Sequence, residues 1–357
     1  MRDDRLSFIE IAKYSKKNNL RKDNQLDVGG SNILISLIIV AFKRKEFIRD
    51  AIASAIRQRI SKEKLEVIVI KNFIDKEIDD FIKSQGFVGI VSKNEGLGEK
   101  LHEAIEICSG EVITFLEDDD VMSDSRISVI HNTFLDGDIV YFHNNVERFF
   151  DLNLMGADQY NLRNTEERIE IVSENDIHLP QLISRNCEFN ISSMAVRRRI
   201  FDNYWKEIAS FNYKVDNFIF YLAVSAKGKI AITAKKLTFY RFHASASHIF
   251  TSSHNYLEER ITMYKKLEEE SNRLAKTFNN IILRSYLECR KLEQSVIIGV
   301  LNRKERDGGF QFLAKCLSCS LRIRRRFFSL LLVLYFVGIF LPNFALRVYV
   351  SFEARKE

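Results

Sequence analysis

Four consecutive carboxylates, Glu117 to Asp120, directly follow the hydrophobic segment 111–116. Such a run repels itself unless a cation compensates it. Mg²⁺ and Mn²⁺ prefer carboxylate oxygens and share their remaining positions with water and substrate phosphates. An ion held there and bridging a diphosphate would stabilise the charge of a leaving nucleotide. A solvated acidic turn is the alternative, but the position directly after a hydrophobic segment favours a metal and phosphate site.

The segments around this run alternate between strand and helix patterns, which predicts an α/β fold with a mostly parallel sheet flanked by helices. Ligands of such sheets bind beyond the carboxyl ends of the strands, so the loops after Val40, Ile70, Ser92 and Leu116 are the candidates. The predicted strands are 33–40, 65–70, 88–92, 111–116 and 138–142, and the predicted helices are 46–58, 75–84, 99–108 and 125–135.

The following region has a mixed pattern, and a charged amphipathic helical region comes after it. We predict helices at 166–185 and 214–226, and short strands at 191–196, 229–233 and 236–241. Residues 255–325 carry no chemistry that we can name, and we expect either a collar around the acceptor or a contact between copies in a homo-oligomer.

Three stretches of the segment 36–120 resemble the nucleotide-sugar-binding half of family-2 glycosyltransferases, which have the GT-A fold. They are 37–44 (LIIVAFKR), 65–70 (LEVIVI) and 110–120 (GEVITFLEDDD). The third is the most specific, because it is similar to the family signature Gly-Glu-x-Ile-x-Phe-Leu-Asp-x-Asp-Asp. The resemblance extends to about residue 250 through 190–197, 214–218 and 240–247.

The resemblance implies a donor site made from the strand-end loops. Ala41 and Phe42 would flank the nucleobase, which is uridine by default in the family. Asp75 is a candidate for a further base contact, although the turn 71–75 departs from the family pattern. Gly98 would allow the donor to approach the backbone closely, but an ordinary turn is an equal alternative.

The same resemblance assigns the acidic run. Glu117 and Asp119 would occupy the acidic positions of the DxD motif, with Asp119 as the main metal ligand. Asp120 would support the loop or contact the metal or donor. Glu117 stands where the family usually has Asp, so Asp118 would take its place if the register shifts by one residue.

The second half supplies a candidate base and a basic pair. An inverting transfer needs one base to deprotonate the acceptor hydroxyl. The segment 214–218 resembles the helix start that bears the family's catalytic carboxylate, so Asp216 is our candidate, with helix capping as the alternative. Arg241 and His243 are two residues apart, so on a strand they share a face. We assign Arg241 to the donor diphosphate and His243 to the metal, while a structural role is an equal alternative.

The C-terminal segment 327–346 has no charged residue, and arginines stand on both sides of it. We expect a hydrophobic membrane-associated segment at 327–350, which spans the bilayer, lies at its surface or is a buried core helix. The polar leader 1–30 shows no signal peptide. The reaction is therefore expected at the cytoplasmic face of the cell membrane, with a lipid surface as a partner.

Composition limits the other classes. The formal net charge of +6 is mild and does not demand a nucleic-acid partner. The five dispersed cysteines make a disulfide framework unexpected. We divide the chain into the leader 1–30, a GT-A domain 31–250 with a donor half 31–145 and an acceptor half 146–250, an amphipathic helical region 251–326 and the segment 327–350.

Together with the acidic run, the resemblance implies a glycosyltransferase that uses Mg²⁺ or Mn²⁺ and a nucleotide-sugar donor. The acceptor is expected to be a lipid-linked glycan, a polyprenyl phosphate or a surface polysaccharide. A nucleotidyltransferase is one alternative, but the loop 41–45 lacks the glycines that such enzymes place around a triphosphate. A non-catalytic membrane scaffold is the other.

Overall fold

A computed structural model describes residues 33–42, 45–150, 168–243, 255–302, 310–323 and 326–354. The predicted leader 1–30 lies outside these residues. The described chain divides into two compact units. The first consists of residues up to 178 together with 182–242, and the second consists of 179–181 and 243–357.

The first unit is built on a sheet of nine strands in the described residues. The strands are β1 (Ile35–Ala41), β2 (Leu65–Lys71), β3 (Val88–Val91), β4 (Val112–Glu117), β5 (Val121–Met122), β6 (Ile139–Phe149), β7 (Glu170–Val172), β8 (Met194–Arg197) and β9 (Lys229–Arg241). Its helices are α1 (Lys45–Ile56), α2 (Lys76–Ser84), α3 (Leu97–Ile107), α4 (Arg126–Phe134), α5 (Leu179–Ser184) and α6 (Val215–Ser225), of which α5 lies at the boundary between the units.

The sheet is mixed, which corrects the prediction of a mostly parallel one. The order is β3-β2-β1-β4-β8-β6-β9-β5, with β7 beside β9. Strands β1 to β4 are parallel to one another as predicted, whereas β8 runs antiparallel between β4 and β6. Every residue of β1 is buried, because the strand has a neighbour on each side and both of its faces are covered.

Two predicted elements of this unit differ in the structure. The helix expected over 166–185 is instead β7 and α5 in its described part, separated by a short 3-10 turn. The two strands expected at 229–233 and 236–241 form the single strand β9, which accommodates irregular register against β6 near Asn145.

The second unit contains long helices. They are α7 (Tyr256–Thr277), α8 (Ile281–Leu301), α9 (Phe310–Ile323), α10 (Arg326–Phe340) and α11 (Pro342–Ala354). A disulfide joins Cys289 of α8 to Cys319 of α9, a pairing that the sequence analysis did not expect. Among the described helices, none combines the length and apolar character needed to cross a bilayer.

Candidate active site

Strand register places the candidate loops at one edge of the sheet. Val40 of β1 pairs with Glu117 of β4 on one side and with Ile70 of β2 on the other. The strands are parallel, so the segments that follow them leave the sheet at the same edge. The acidic run, Phe42 and the turn before α2 therefore lie where the sequence predicts a ligand site.

Three carboxylates of the acidic run form a cluster. One carboxylate oxygen from each of Glu117, Asp119 and Asp120 lies within 4.8 Å of the others. Glu117 and Asp119 are half-buried and Asp120 is fully buried. Carboxylate oxygens are the ligands that Mg²⁺ and Mn²⁺ prefer, and two of the three residues are partly accessible to substrate and water. These residues therefore fit the predicted ion.

Asp120 is the buried member of this carboxylate cluster. Burial and the charge of Asp119 raise the pKa of Asp120 to about 7. Its carboxylate accepts hydrogen bonds from the backbone N–H of Arg241 (3.1 Å) and from the Ser192 hydroxyl. The buried guanidinium of Arg126 also favours the charged carboxylate, while burial lowers the pKa of Arg126 to about 9. A bound cation would further favour the charged form of Asp120.

Asp118 points away from the cluster and supports the neighbouring loop. Its buried carboxylate accepts a hydrogen bond from the backbone N–H of Phe42 at 3.1 Å. The structure thus separates Asp118 from the three clustered carboxylates, and its assignment to the donor stays a prediction. The bond connects the loop after β4 to the loop after β1.

Phe42 presents its ring at the ligand edge, whereas the adjacent Ala41 is buried. The buried ammonium of Lys100 lies 4.7 Å from the centre of the Phe42 ring and donates to the Ala41 carbonyl at 3.2 Å. Sequence reasoning missed Lys100. In the sequence it cannot be distinguished from the exposed charged residues of the same helix, although it lies on the buried side of α3. The roles of Ala41 and Phe42 in base binding stay predictions.

Asp216 lies in the first turn of α6 and is half-buried. Burial raises its pKa to about 6, although hydrogen bonds from the backbone N–H groups of Asn217 and Asn190 and the charge of Lys214 oppose the rise. A carboxylate whose pKa lies near neutrality is suited to accept a proton at physiological pH.

Asn190 connects this carboxylate to the acidic cluster. Its backbone N–H donates to Asp216, and its side-chain amide nitrogen lies 3.4 Å from Oδ2 of Asp120. The backbone of Asn190 has a φ of 63°, a left-handed conformation that asparagine adopts more readily than most residues. The metal and base candidates are therefore both bonded to one residue, which the sequence analysis did not single out.

Ser192 holds the acidic loop from the same side. Its hydroxyl accepts a hydrogen bond from the backbone N–H of Glu117 at 3.0 Å and donates to Asp120. The 3-10 turn Ile191–Ser193 that carries Ser192 is capped by the side chain of Asn190. An Asn followed by Ile-Ser-Ser just before β8 is the sequence signal that a search for polar capping residues would find.

Asp75 and Gly98 occupy positions with clear structural roles. Asp75 caps α2 by accepting from the backbone N–H of Ile78 and pairs with Lys45 at 3.0 Å. A Cβ on Gly98 would lie 2.1 Å from the carbonyl oxygen of Ile208 and 2.2 Å from that of Phe211. Helix capping explains the Asp at position 75, and the close backbone contact explains the Gly at position 98. Contact of either residue with the nucleotide-sugar donor stays a prediction.

Arg241 is buried beside the acidic loop. Its guanidinium donates to the Asp119 carbonyl oxygen (2.9 Å) and to Asp50 (2.7 Å), and lies 4.4 Å from the centre of the Phe47 ring. The side chain thus fixes the backbone of the metal candidate, and direct contact with a diphosphate stays a prediction. His243 belongs to the second unit, and its assignment to the metal stays a prediction as well.

Comparison with known proteins agrees with this geometry. Residues 36–205 match the protein family described as "Glycosyl transferase family 2". The matched segment contains the three clustered carboxylates and Asn190, and ends before Asp216. No curated protein sequence matches the chain.

Solved structures share the fold. The crystal structure of S. aureus TarS 1–349 superposes with a TM-score of 0.51 at 13% identity, covering 91% of this chain and 92% of that one. The same TarS fragment in complex with UDP-GlcNAc gives a TM-score of 0.51 at 14% identity, with coverage of 91% and 92%. At these identities the likeness concerns the fold.

The fold and the carboxylate cluster at its strand ends define a nucleotide-sugar glycosyltransferase of the GT-A type. Residues 36–205 match the model of family-2 glycosyltransferases, and the protein is a glycosyltransferase. The nucleotidyltransferase and scaffold alternatives are set aside.

Proposed function

We propose that this enzyme transfers a sugar from a nucleoside diphosphate sugar to a lipid-linked glycan or surface polysaccharide, with inversion at the anomeric carbon. One observation carries the proposal: the side-chain nitrogen of Asn190 lies 3.4 Å from Asp120 of the carboxylate cluster, and its backbone N–H is among the groups that lower the raised pKa of Asp216. A metal site and a base thus lie on either side of one residue.

The carboxylate cluster of Glu117, Asp119 and Asp120 would hold Mg²⁺ or Mn²⁺. When bound, the ion supplies positive charge to the donor diphosphate and stabilises it as a leaving group. Ser192 and Arg241 keep the loop in place from two sides, through the backbone N–H of Glu117 and the carbonyl of Asp119. Such preorganised support is what a ligand set requires.

Asp216 would act as the base. Its carboxylate takes the proton of the acceptor hydroxyl while that oxygen forms a bond to the anomeric carbon and the bond from this carbon to the diphosphate oxygen breaks. The products are the glycosylated acceptor and a nucleoside diphosphate. Direct displacement of this kind needs one base and no covalent intermediate.

The nucleobase would stack against the exposed ring of Phe42, next to Ala41. Lys100 holds this loop by its bond to the Ala41 carbonyl. We propose a UDP-sugar as the donor, and the UDP-GlcNAc complex of the structurally similar TarS supports this choice. We place the reaction at the cytoplasmic face of the cell membrane, because activated nucleotide sugars are made in the cytoplasm.

A donor panel tests the proposal. Purified protein is offered UDP-, GDP- and dTDP-sugars with Mn²⁺, with Mg²⁺ or with EDTA, and nucleoside diphosphate release is followed. We expect release from a UDP-sugar that requires a divalent ion and is lost in Asp216→Asn. Release that ignores EDTA overturns the metal assignment, and unchanged turnover in Asp216→Asn overturns the base.

A further inference from the structure

Helix α10 is apolar on all sides, yet the described chain covers only part of its surface. Its inward residues, including Leu331, Leu334 and Tyr335, are buried. Contact with α8 is close, because a Cβ on Gly299 would lie 2.4 Å from the Tyr335 ring. This face is thus fixed by the helices of its own unit.

The opposite face is exposed and continues onto α11. Phe340 is 83% exposed, Leu341 58% and Phe344 56%. In α10 the exposed Leu330, Val333, Phe336 and Phe340 lie at intervals of three and four residues, which places them on one side of this helix. We call them the apolar stripe: Leu330, Val333, Phe336, Phe340, Leu341 and Phe344. Large exposed apolar patches mark interaction surfaces.

The sequence around the stripe carries one sign of charge. Residues 308–352 contain no Asp or Glu. Their charged residues are all basic: Lys315, Arg322, Arg324, Arg325, Arg326 and Arg347. An exposed apolar surface in a segment whose charged residues are all basic complements a bilayer with anionic headgroups, which attract nearby Lys and Arg side chains.

We propose that the apolar stripe binds the surface of an anionic lipid bilayer, with α10 and α11 lying in the plane of the interface. The inward face of α10 stays on α8 while the outward face enters the acyl boundary, where binding strength increases with the buried apolar area. A second copy of the chain fits less well, because a symmetric contact pairs a segment with itself and residues 308–352 carry only positive charge. This membrane contact rests on the membrane location proposed above, but it does not depend on the donor.

Vesicle flotation tests it with the full chain. We expect the protein to float with vesicles of phosphatidylcholine and phosphatidylglycerol, to bind pure phosphatidylcholine less, and to lose binding as salt rises. The double variant Phe340→Ser/Phe344→Ser should bind the anionic vesicles at least about tenfold more weakly, because it removes two aromatic side chains from the interface.

A matched control removes two exposed apolar residues from the same unit but outside the stripe. Ile281 and Ile282 at the start of α8 are 81% and 70% exposed, and Ile281→Ser/Ile282→Ser should float like the wild type. Circular dichroism and donor-dependent nucleotide release should be unchanged in both variants, which separates loss of membrane binding from loss of folding or of the proposed transfer.

Any of three results would overturn the proposal. The first is a wild-type protein that stays with the soluble fraction at low salt, and the second is a stripe variant that floats as well as the control. The third is a concentration-dependent dimer, seen by light scattering, that disappears in Phe340→Ser/Phe344→Ser while flotation does not change. That outcome would assign the stripe to a second copy of this chain.

Discussion

The side-chain nitrogen of Asn190 lies 3.4 Å from Oδ2 of Asp120, and this contact joins the segment before β8 to the acidic loop after β4. Asn190 also donates its backbone N–H to Asp216. One residue with a left-handed backbone therefore contacts both the carboxylate cluster and the candidate base, which are far apart in sequence.

Asn190→Gly should weaken Mn²⁺ binding by about tenfold, because loss of an outer-shell partner of a ligand typically costs 10–100-fold in metal affinity. Glycine keeps the φ of 63° and the backbone bond to Asp216. Asn190→Ala should also lose about 1 kcal/mol of folding free energy, since alanine resists this conformation. Calorimetric titration and thermal unfolding measure the two effects.

Asn186→Gly is the control for these variants, because Asn186 also has a positive φ of 58°. It should leave Mn²⁺ affinity unchanged. If Asn190→Gly binds Mn²⁺ as tightly as the wild type, Asn190 has no role in supporting the cluster.

Asp216→Asn should reduce turnover by about 10²–10⁴-fold, the usual contribution of a positioned base. In the wild type, kcat/KM should rise with pH and level off above about 6, because burial raises the pKa of Asp216 to about 6 and only the ionised form accepts a proton. Asp202→Asn, on the exposed surface, is the matched control and should retain activity.

The same pKa predicts a stability effect of opposite sign. The folded pKa of Asp216, about 6, lies above its ordinary value of 3.8, so folding disfavours the ionised form. Its contribution to the free energy of unfolding therefore falls as pH rises from about 4 to about 6. Asp216→Asn should be as stable as the wild type or more stable at pH 8, and a large loss of Tm there would indicate a structural carboxylate.

Asp119→Asn should raise the Kd for Mn²⁺ at least about tenfold, because it removes a charged oxygen ligand from the cluster. Asp118→Asn removes the same charge one residue away and serves as the control. Its amide oxygen can still accept the N–H of Phe42, so we expect nearly wild-type affinity. If both variants bind Mn²⁺ equally weakly, the acidic run attracts the ion only through its total charge.

Gly98→Ala should destabilise the fold by about 1–3 kcal/mol, the usual cost of overpacking, because its Cβ would meet the carbonyl oxygens of Ile208 and Phe211 at 2.1 and 2.2 Å. Gly137→Ala is the control, since a Cβ there has nothing within 4 Å. A Gly98→Ala enzyme with an unchanged Tm and a raised KM for donor would instead support a donor contact.

The parallel half of the sheet could be predicted because its strands are apolar on both faces, as in Ile35–Ala41. The acidic cluster followed from its position after β4. Strand β8 was harder to place, since an antiparallel insertion between β4 and β6 depends on long-range pairing that local patterning does not encode. Asn190 was missed for a related reason, because a left-handed backbone leaves no trace in hydrophobic periodicity.

The Cys289–Cys319 pairing was also beyond the sequence, since an odd number of scattered thiols does not reveal which two meet. The position of the Lys100 ammonium could not be predicted for a different reason. Its stem belongs to the buried side of α3, and only the tertiary contact with the Ala41 carbonyl shows that the ammonium faces the ligand edge.

The disulfide lies wholly within the second unit, whereas the carboxylate cluster and Asp216 belong to the first. Dithiothreitol, a routine additive in protein purification, would thus cut a crosslink between two helices without touching any residue assigned to chemistry. Transfer rates compared with and without reductant would report whether the helical unit must stay intact for turnover.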